Sequence, residues 1–171
     1  MIRLRLREDE AMVTKQQVRR SIFETLDATP LCSVATVSHH KASYIHTAFF
    51  AWTTDLLLFF LSDPATRHVS NISKEPSVAV TVFDSRQRWG AALRGLQLFG
   101  RCHSVRRTGS EIAHRAYGRR FVGYRRWFAT LPHPEQQQVL SRFFVVRVTS
   151  LKLLDERRFG EELFLNVTVD R

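Results

Sequence analysis

The sequence predicts a mainly β domain with peripheral helices (α+β), arranged as a small closed or partly open barrel of about six antiparallel strands. Three observations carry this prediction. Short apolar segments succeed one another at hairpin-length intervals. Helical periodicity is confined to the start of the chain, to one corner between strands and to the stretch before the last strand. The 171 residues, 44% of them hydrophobic, suffice for one core, and no linker-like composition divides residues 1–171 into two domains.

In chain order, residues 1–13 read as an N-terminal extension whose "RLRLR" run is solvated, with Met12 as an alternative start. Thr14 and Gln17 have the spacing of a capping box, and Val18, Ile22, Phe23 and Leu26 then share one helical face until Pro30. Strands follow at 31–37 ("LCSVATV"), 44–52 ("YIHTAFFAW") and 56–62 ("LLLFFLS"), separated by turns that include His39 and His40. Asp63 and Pro64 suit an N-cap and first helical position for a short helix that Pro76 ends. Strands at 77–84 and 93–105 flank a polar loop, and the glycines inside the second mark a bulge or a close approach. Thr108 and Glu111 suggest another capping box, opening a helical insertion at about 109–140 that Gly118 and Gly123 interrupt. A last strand covers 142–154. "ERR" at 156–158 reads as a solvated charge run.

Lys and Arg outnumber Asp and Glu by 26 to 16, a net charge of +10, which favours an anionic partner. Nucleic acid, an anionic membrane and a phosphorylated small molecule all fit that charge. The N-terminus has no continuous apolar core of a signal peptide. The longest apolar run, Leu56–Leu61, is far short of the roughly 20 residues that span a bilayer. A cytoplasmic location is therefore expected. Cys32 and Cys102 lie in strand-like segments and are expected to be buried free thiols. The 7 histidines show none of the short two-ligand spacings of a zinc site, so no metal is expected. A single axial histidine for haem would leave no spacing signature.

The corner "LSDPATRH" is the strongest candidate site. A helix N-terminus offers unpaired N–H groups and the positive end of the macrodipole, and Thr66, Arg67 and His68 add a hydroxyl, a fixed cation and a second potential cation. Together they suit a phosphate group.

The order "FFLSDPATRHVSNISKEPSVAVTV", followed by "LRGLQLFGRCHSV" and "AYGRRF", resembles the pyridoxamine 5'-phosphate oxidase-like family of FMN-binding split barrels, and within it an uncharacterised bacterial branch. The resemblance spans about residues 18–160. It implies that Leu61 and the strand before the corner lie under a flavin, with Ser62, Thr66, Arg67 and His68 holding its phosphate and Asn71 one helical turn beyond. It also implies that His46, Thr47 and Ala48 face the isoalloxazine ring. In this family the site forms at a two-fold interface, so a homodimer is expected, with Gln97, Arg94 and Trp89 supplied by the partner subunit.

Vitamin B6 chemistry is not expected, because residues 44–52 hold no Arg or Lys and the Arg-x-His signature of the true oxidases is missing near the C-terminus. Phe159-Gly160 is followed by Glu161 and Glu162, where similar proteins have Lys.

Residues 116–128 interleave arginine pairs with Phe121, Tyr124, Trp127 and Phe128. This pattern suits nucleobase stacking, an ordinary amphipathic helix pair, or a cap that holds an anionic substrate through Arg119 and Arg120. The expected activity is that of an FMN-dependent oxidoreductase or flavin reductase on a small, anionic substrate, with no membrane or nucleic-acid partner. The alternatives are a non-catalytic flavin- or haem-binding protein for sensing or scavenging, a reductase using a deazaflavin (coenzyme F420), and, last, a basic nucleic-acid-binding barrel. No catalytic residue is assigned, since flavin chemistry needs no acid–base dyad from the protein.

Overall fold

The computed structural model describes residues 2–6, 13–38 and 41–171. Met12, His39 and His40 lie outside the described residues. The chain runs β1 (Arg3–Leu6), α1 (Lys15–Ala28), β2 (Leu31–Val37), β3 (Ser43–Trp52), β4 (Leu57–Leu61), α2 (Arg67–Lys74), β5 (Ser77–Phe83) and β6 (Arg94–Ser104). It continues through α3 (Arg107–Arg120), α4 (Val122–Thr130), α5 (His133–Leu140), β7 (Phe143–Asp155), α6 (Glu156–Phe159) and β8 (Phe164–Asp170). The strand order β7-β4-β3-β2-β5-β6 returns to β7, so these six strands close an antiparallel split barrel, and β8 and β1 extend the sheet from β7.

Alternation decides which side chains enter the barrel. Cys32, Val34 and Thr36 of β2 are buried, while Leu31, Ser33 and Ala35 face outward. Phe50, Phe60, Leu96, Leu98, Val146 and Leu153 fill the interior. The Thr14–Gln17 capping box forms as its spacing requires, and Val18, Ile22 and Leu26 of α1, all at 0% exposure, join that core. Such burial contributes roughly 1.5–3 kcal/mol per large aliphatic side chain. A second cluster lies outside the barrel, where Ala113, Ala116 and Tyr117 of α3 cover Ala51, Phe59, Phe143 and Val145. This cluster is what fixes the helical insertion against β3 and β4. Cys32 and Cys102 are buried and free, and burial pushes both thiols up to about 12.

Closure of the barrel depends on one glycine. The β6–β7 register shifts between Phe99 and Gly100. A Cβ at Gly100 would lie 2.1 Å from the Arg147 carbonyl oxygen, so only glycine permits this approach.

Several local expectations are corrected. The first four residues of the "RLRLR" run form strand β1, paired with β8 from Arg3↔Asp170 to Leu6↔Val167; Arg3 and Arg5 are solvated, but Leu4 is buried, and Arg7 lies outside the described residues. Strand β8 was not anticipated from the sequence. Helix α2 starts at Arg67 with Thr66 as N-cap, because Asp63 closes a turn of its own. Its Oδ1 accepts from Ala65 N at 2.8 Å, and its carbonyl accepts from Thr66 N and Oγ1. Helix α3 is capped by Arg106 rather than Thr108, since the Arg106 carbonyl already accepts from Gly109 and Ser110. The helical break falls at Phe121, which is extended (φ −119°, ψ 96°), and both Gly118 and Gly123 sit inside helices. "ERR" forms α6, where Arg158 pairs with Glu24 at 2.7 Å and Asp155 at 3.1 Å.

Candidate functional site

The corner between β4 and α2 is a tight polar cluster. Ser62 Oγ lies 2.6 Å from His68 Nε2 and 3.2 Å from Thr66 Oγ1, and Thr66 Oγ1 is 3.1 Å from His68 Nε2. The Ser62 amide donates to the Arg142 carbonyl at 3.1 Å, which ties the corner to the start of β7. Arg67 lies over the Tyr44 ring, 5.2 Å from its centroid.

On the neighbouring strand, the imidazole of His46 stacks on that of His68, with centroids 3.6 Å apart and an interplanar angle of 11°. Both ring nitrogens of His46 are buried without a hydrogen-bond partner. Burial, and then the neighbouring His68, lower the His46 pKa from 6.5 to about 4. Burial lowers His68 as well. Near neutral pH both rings are therefore uncharged, and Arg67 is the permanent cation of this corner.

The cluster opens into a cleft of about 900 Å³ between β3, β4 and the helical insertion. His46, Thr47, Ala48 and Phe49 line it from β3, and Leu61, Ser62 and His68 from the corner. The insertion supplies Tyr117, Arg120, Phe121, Tyr124 and Trp127. Tyr117 anchors that wall through its hydroxyl, which donates to the Phe49 carbonyl. The volume lies at the upper end of the roughly 300–1,000 Å³ typical of small-molecule sites.

The sequence-derived residues divide into three groups. His46, Thr47, Ala48, Leu61, Ser62, His68 and Arg120 share this cleft, and Thr66 and Arg67 sit at its corner through the contacts given above. Asn71 is buried and donates from Nδ2 to Thr36 Oγ1 at 3.1 Å, so its amide is engaged with β2. Trp89, Arg94 and Gln97 lie elsewhere in the same chain. Trp89 is fully exposed, Gln97 is on the outer face of β6 opposite Thr81, and Arg94 pairs with Glu24 at 3.4 Å.

The two insertion arginines also separate. Arg119 is exposed and absent from the cleft lining; together with Arg120 it borders a different hollow beside Asp27. Arg120 turns inward, donating from Nη2 to the carbonyls of Leu26, at 2.7 Å, and Thr29. Leu31, Phe49 and Val122 line the cleft without having been singled out in the sequence. The alternation of β2 and β3 already put Leu31 and Phe49 on outward positions, paired with each other, but nothing local said that an insertion would turn those positions into a wall.

The family model for pyridoxamine 5'-phosphate oxidase matches residues 19–154, which include the corner, the β3 strand and the insertion. The chain belongs to the pyridoxamine 5'-phosphate oxidase family. No curated protein matches it in sequence. Among solved structures, this family member is similar to a haem-binding protein from Mycobacterium smegmatis (TM-score 0.69, 12% identity, 91% of this chain and 60% of that one). The chain thus spans about 60% of that protein's length. It is also similar to an FAD-binding protein from Mesorhizobium loti (TM-score 0.59, 13% identity, 98% and 99%). A third likeness is to a haem storage protein from Vibrio cholerae (TM-score 0.56, 20% identity, 84% and 97%). At these identities the likeness is one of fold. The pyridoxamine 5'-phosphate oxidase fold is thus shared by structures named for flavin and for haem. No helix among the described residues is long and apolar enough to cross a membrane.

Proposed function

We propose that the chain binds FMN in this cleft and acts as a flavin-dependent oxidoreductase on a small substrate. The observation that carries the reading is the Ser62–Thr66–His68 cluster beside Arg67, opening directly into a large cleft with a mainly apolar lining. Two hydroxyls, an imidazole and a guanidinium are a donor set that suits a phosphate. Ala48 and Leu61 add apolar lining to the cleft for a ring.

When bound, FMN supplies two-electron chemistry at its ring. The chain's own residues position and insulate. Ser62, Thr66 and Arg67 hold the phosphate, Thr47 and Ala48 fix the ring edge, and Tyr117, Phe121 and Trp127 exclude water from one side of the cleft. The lining offers no charged acid–base pair near neutral pH, which agrees with a reaction in which the protein contributes orientation and electrostatics.

The reading includes a homodimer. Ile45, Phe49, Phe83 and Phe99 are 37–64% exposed on the outer face of the barrel. Between them lie the small residues Ala35 and Ala79, which face each other across β2 and β5. A second copy seated there would bring Gln97 and Arg94 of β6, and Trp89 from the adjoining loop, toward the neighbouring cleft.

The purified protein's absorption spectrum, with identification of any released chromophore, tests the proposal. A two-banded flavin spectrum that disappears in Arg67→Ala is the expected result. A colourless protein that takes up neither FMN nor a deazaflavin would overturn it. A haem-binding reading has one observation in its favour, the unpartnered buried nitrogens of His46; an intense Soret band abolished by His46→Ala would favour it over flavin.

A further inference from the structure

The insertion end of the cleft holds a charge that the flavin reading leaves unused. Arg120 Nη2 is committed to the Leu26 and Thr29 carbonyls, and the guanidinium rests 4.4 Å from the centroid of the Phe50 ring. The side chain is therefore clamped on two sides. Nη1 is nevertheless buried and has no hydrogen-bond partner. A buried N–H without an acceptor is costly, and a clamped guanidinium has no freedom to turn toward water. An acceptor from outside the chain would satisfy it.

The surroundings restrict what that acceptor belongs to. Among the described residues lining the cleft, Arg120 is the one with a permanent positive charge. A single free donor nitrogen suits a monoanion better than a phosphate dianion, which calls for several donors. The adjacent walls are aromatic. Phe121 meets Phe49 edge-on at 5.7 Å, Tyr124 and Trp127 lie 6.0 Å apart, and Trp127 keeps 46% of its surface exposed. Such faces and edges favour a flat π system.

We propose that this end of the cleft binds a flat aromatic carboxylate, one carboxylate oxygen accepting from Arg120 Nη1 and the ring lying among Phe121, Tyr124 and Trp127. The inference rests on the cleft being the ligand site of the flavin reading, and it names the substrate class for that site. Arg119 has no part in it, being exposed and outside the cleft lining; Asp27 borders a separate hollow that both arginines share.

The test is calorimetric titration of the full chain, with and without FMN, using 2-naphthoate and the neutral isostere 2-acetylnaphthalene. The expected result is at least about tenfold tighter binding of the carboxylate. In Arg120→Gln the preference should collapse while the ketone still binds. Arg120 also ties α3 to the end of α1, so Trp127→Ala is the companion variant, and it should weaken both ligands by about tenfold. Equal affinity for carboxylate and ketone in the native chain, or a Trp127→Ala variant that binds both unchanged, would overturn the proposal. FMN uptake is followed separately by quenching of its fluorescence. Uptake without a carboxylate preference overturns this inference alone, whereas a carboxylate preference in a chain that never takes up FMN overturns the flavin reading alone.

Discussion

The imidazoles of His46 and His68 lie face to face at 3.6 Å, one ring hydrogen-bonded to Ser62 and Thr66 and the other with no partner at all. Two positive charges at about 4 Å repel by roughly 4 kcal/mol at an effective dielectric near 20. The stack therefore tolerates at most one positive charge, and the arrangement belongs to the neutral form.

Acid should loosen this corner. The His46 pKa falls from 6.5 to about 4 on folding, so between those values the unfolded chain binds more protons than the folded one. Its contribution to stability is complete above about 6.5 and is lost as pH falls toward about 4. The melting temperature of the native protein should drop across this window, and His46→Phe, which places another ring beside Phe60, should flatten the drop. Parallel slopes for the two proteins would show that the stack is not the cause.

Tyr117 is the pin of the insertion. Its hydroxyl donates to the Phe49 carbonyl, and its ring packs on Phe143 and Tyr124. Tyr117→Phe should cost about 1–3 kcal/mol, since the Phe49 carbonyl loses its buried donor. Urea unfolding measures the loss. A change within error would mean that water replaces the hydroxyl.

The two glycines of interest respond in opposite directions. Gly100→Ala drives a methyl against the Arg147 carbonyl at the barrel seam, so it should destabilise by at least the roughly 1–3 kcal/mol typical of overpacking. Gly118 is inside α3, its nearest outside atom 4.0 Å from a built Cβ. Gly118→Ala should therefore gain up to about 0.5–1 kcal/mol. Comparing the urea midpoints of the two variants checks both signs at once.

Ala79 probes the proposed dimer. It pairs with Ala35 on one side and Phe99 on the other, on the outward face of β5. Ala79→Arg should leave the barrel's circular dichroism intact while halving the mass measured by light scattering. An unchanged mass would remove this face from the assembly.

Much of the corner was legible because its residues are close in sequence. Ser62, Thr66 and His68 fall within seven positions, and a strand ending at a capped turn leaves their hydroxyls and ring few places to go. The strand meander was equally legible, its edges falling within a residue or two, because alternation and turn chemistry are local signals. Legibility failed where a local motif had a competitor. Asp63 looked like a cap but closed its own turn, and Thr108 lost the cap position to the Arg106 carbonyl. Strand β1 was missed because a charge run and a half-buried strand look alike until a partner, here β8, is known.

The sequence by itself determined the mainly β class, the grouping of Ser62, Thr66, Arg67 and His68 at one corner, and the membership of His46, Thr47 and Ala48 in the strand beside it. These follow from periodicity and spacing within a few residues. Only the tertiary structure decided which insertion arginine faces the cleft. Arg119 and Arg120 are neighbours of the same chemistry, and what separates them is that Arg120 reaches carbonyls 94 and 91 residues earlier in the chain. Such contacts join residues whose proximity exists only after the barrel has formed, and no local pattern encodes them.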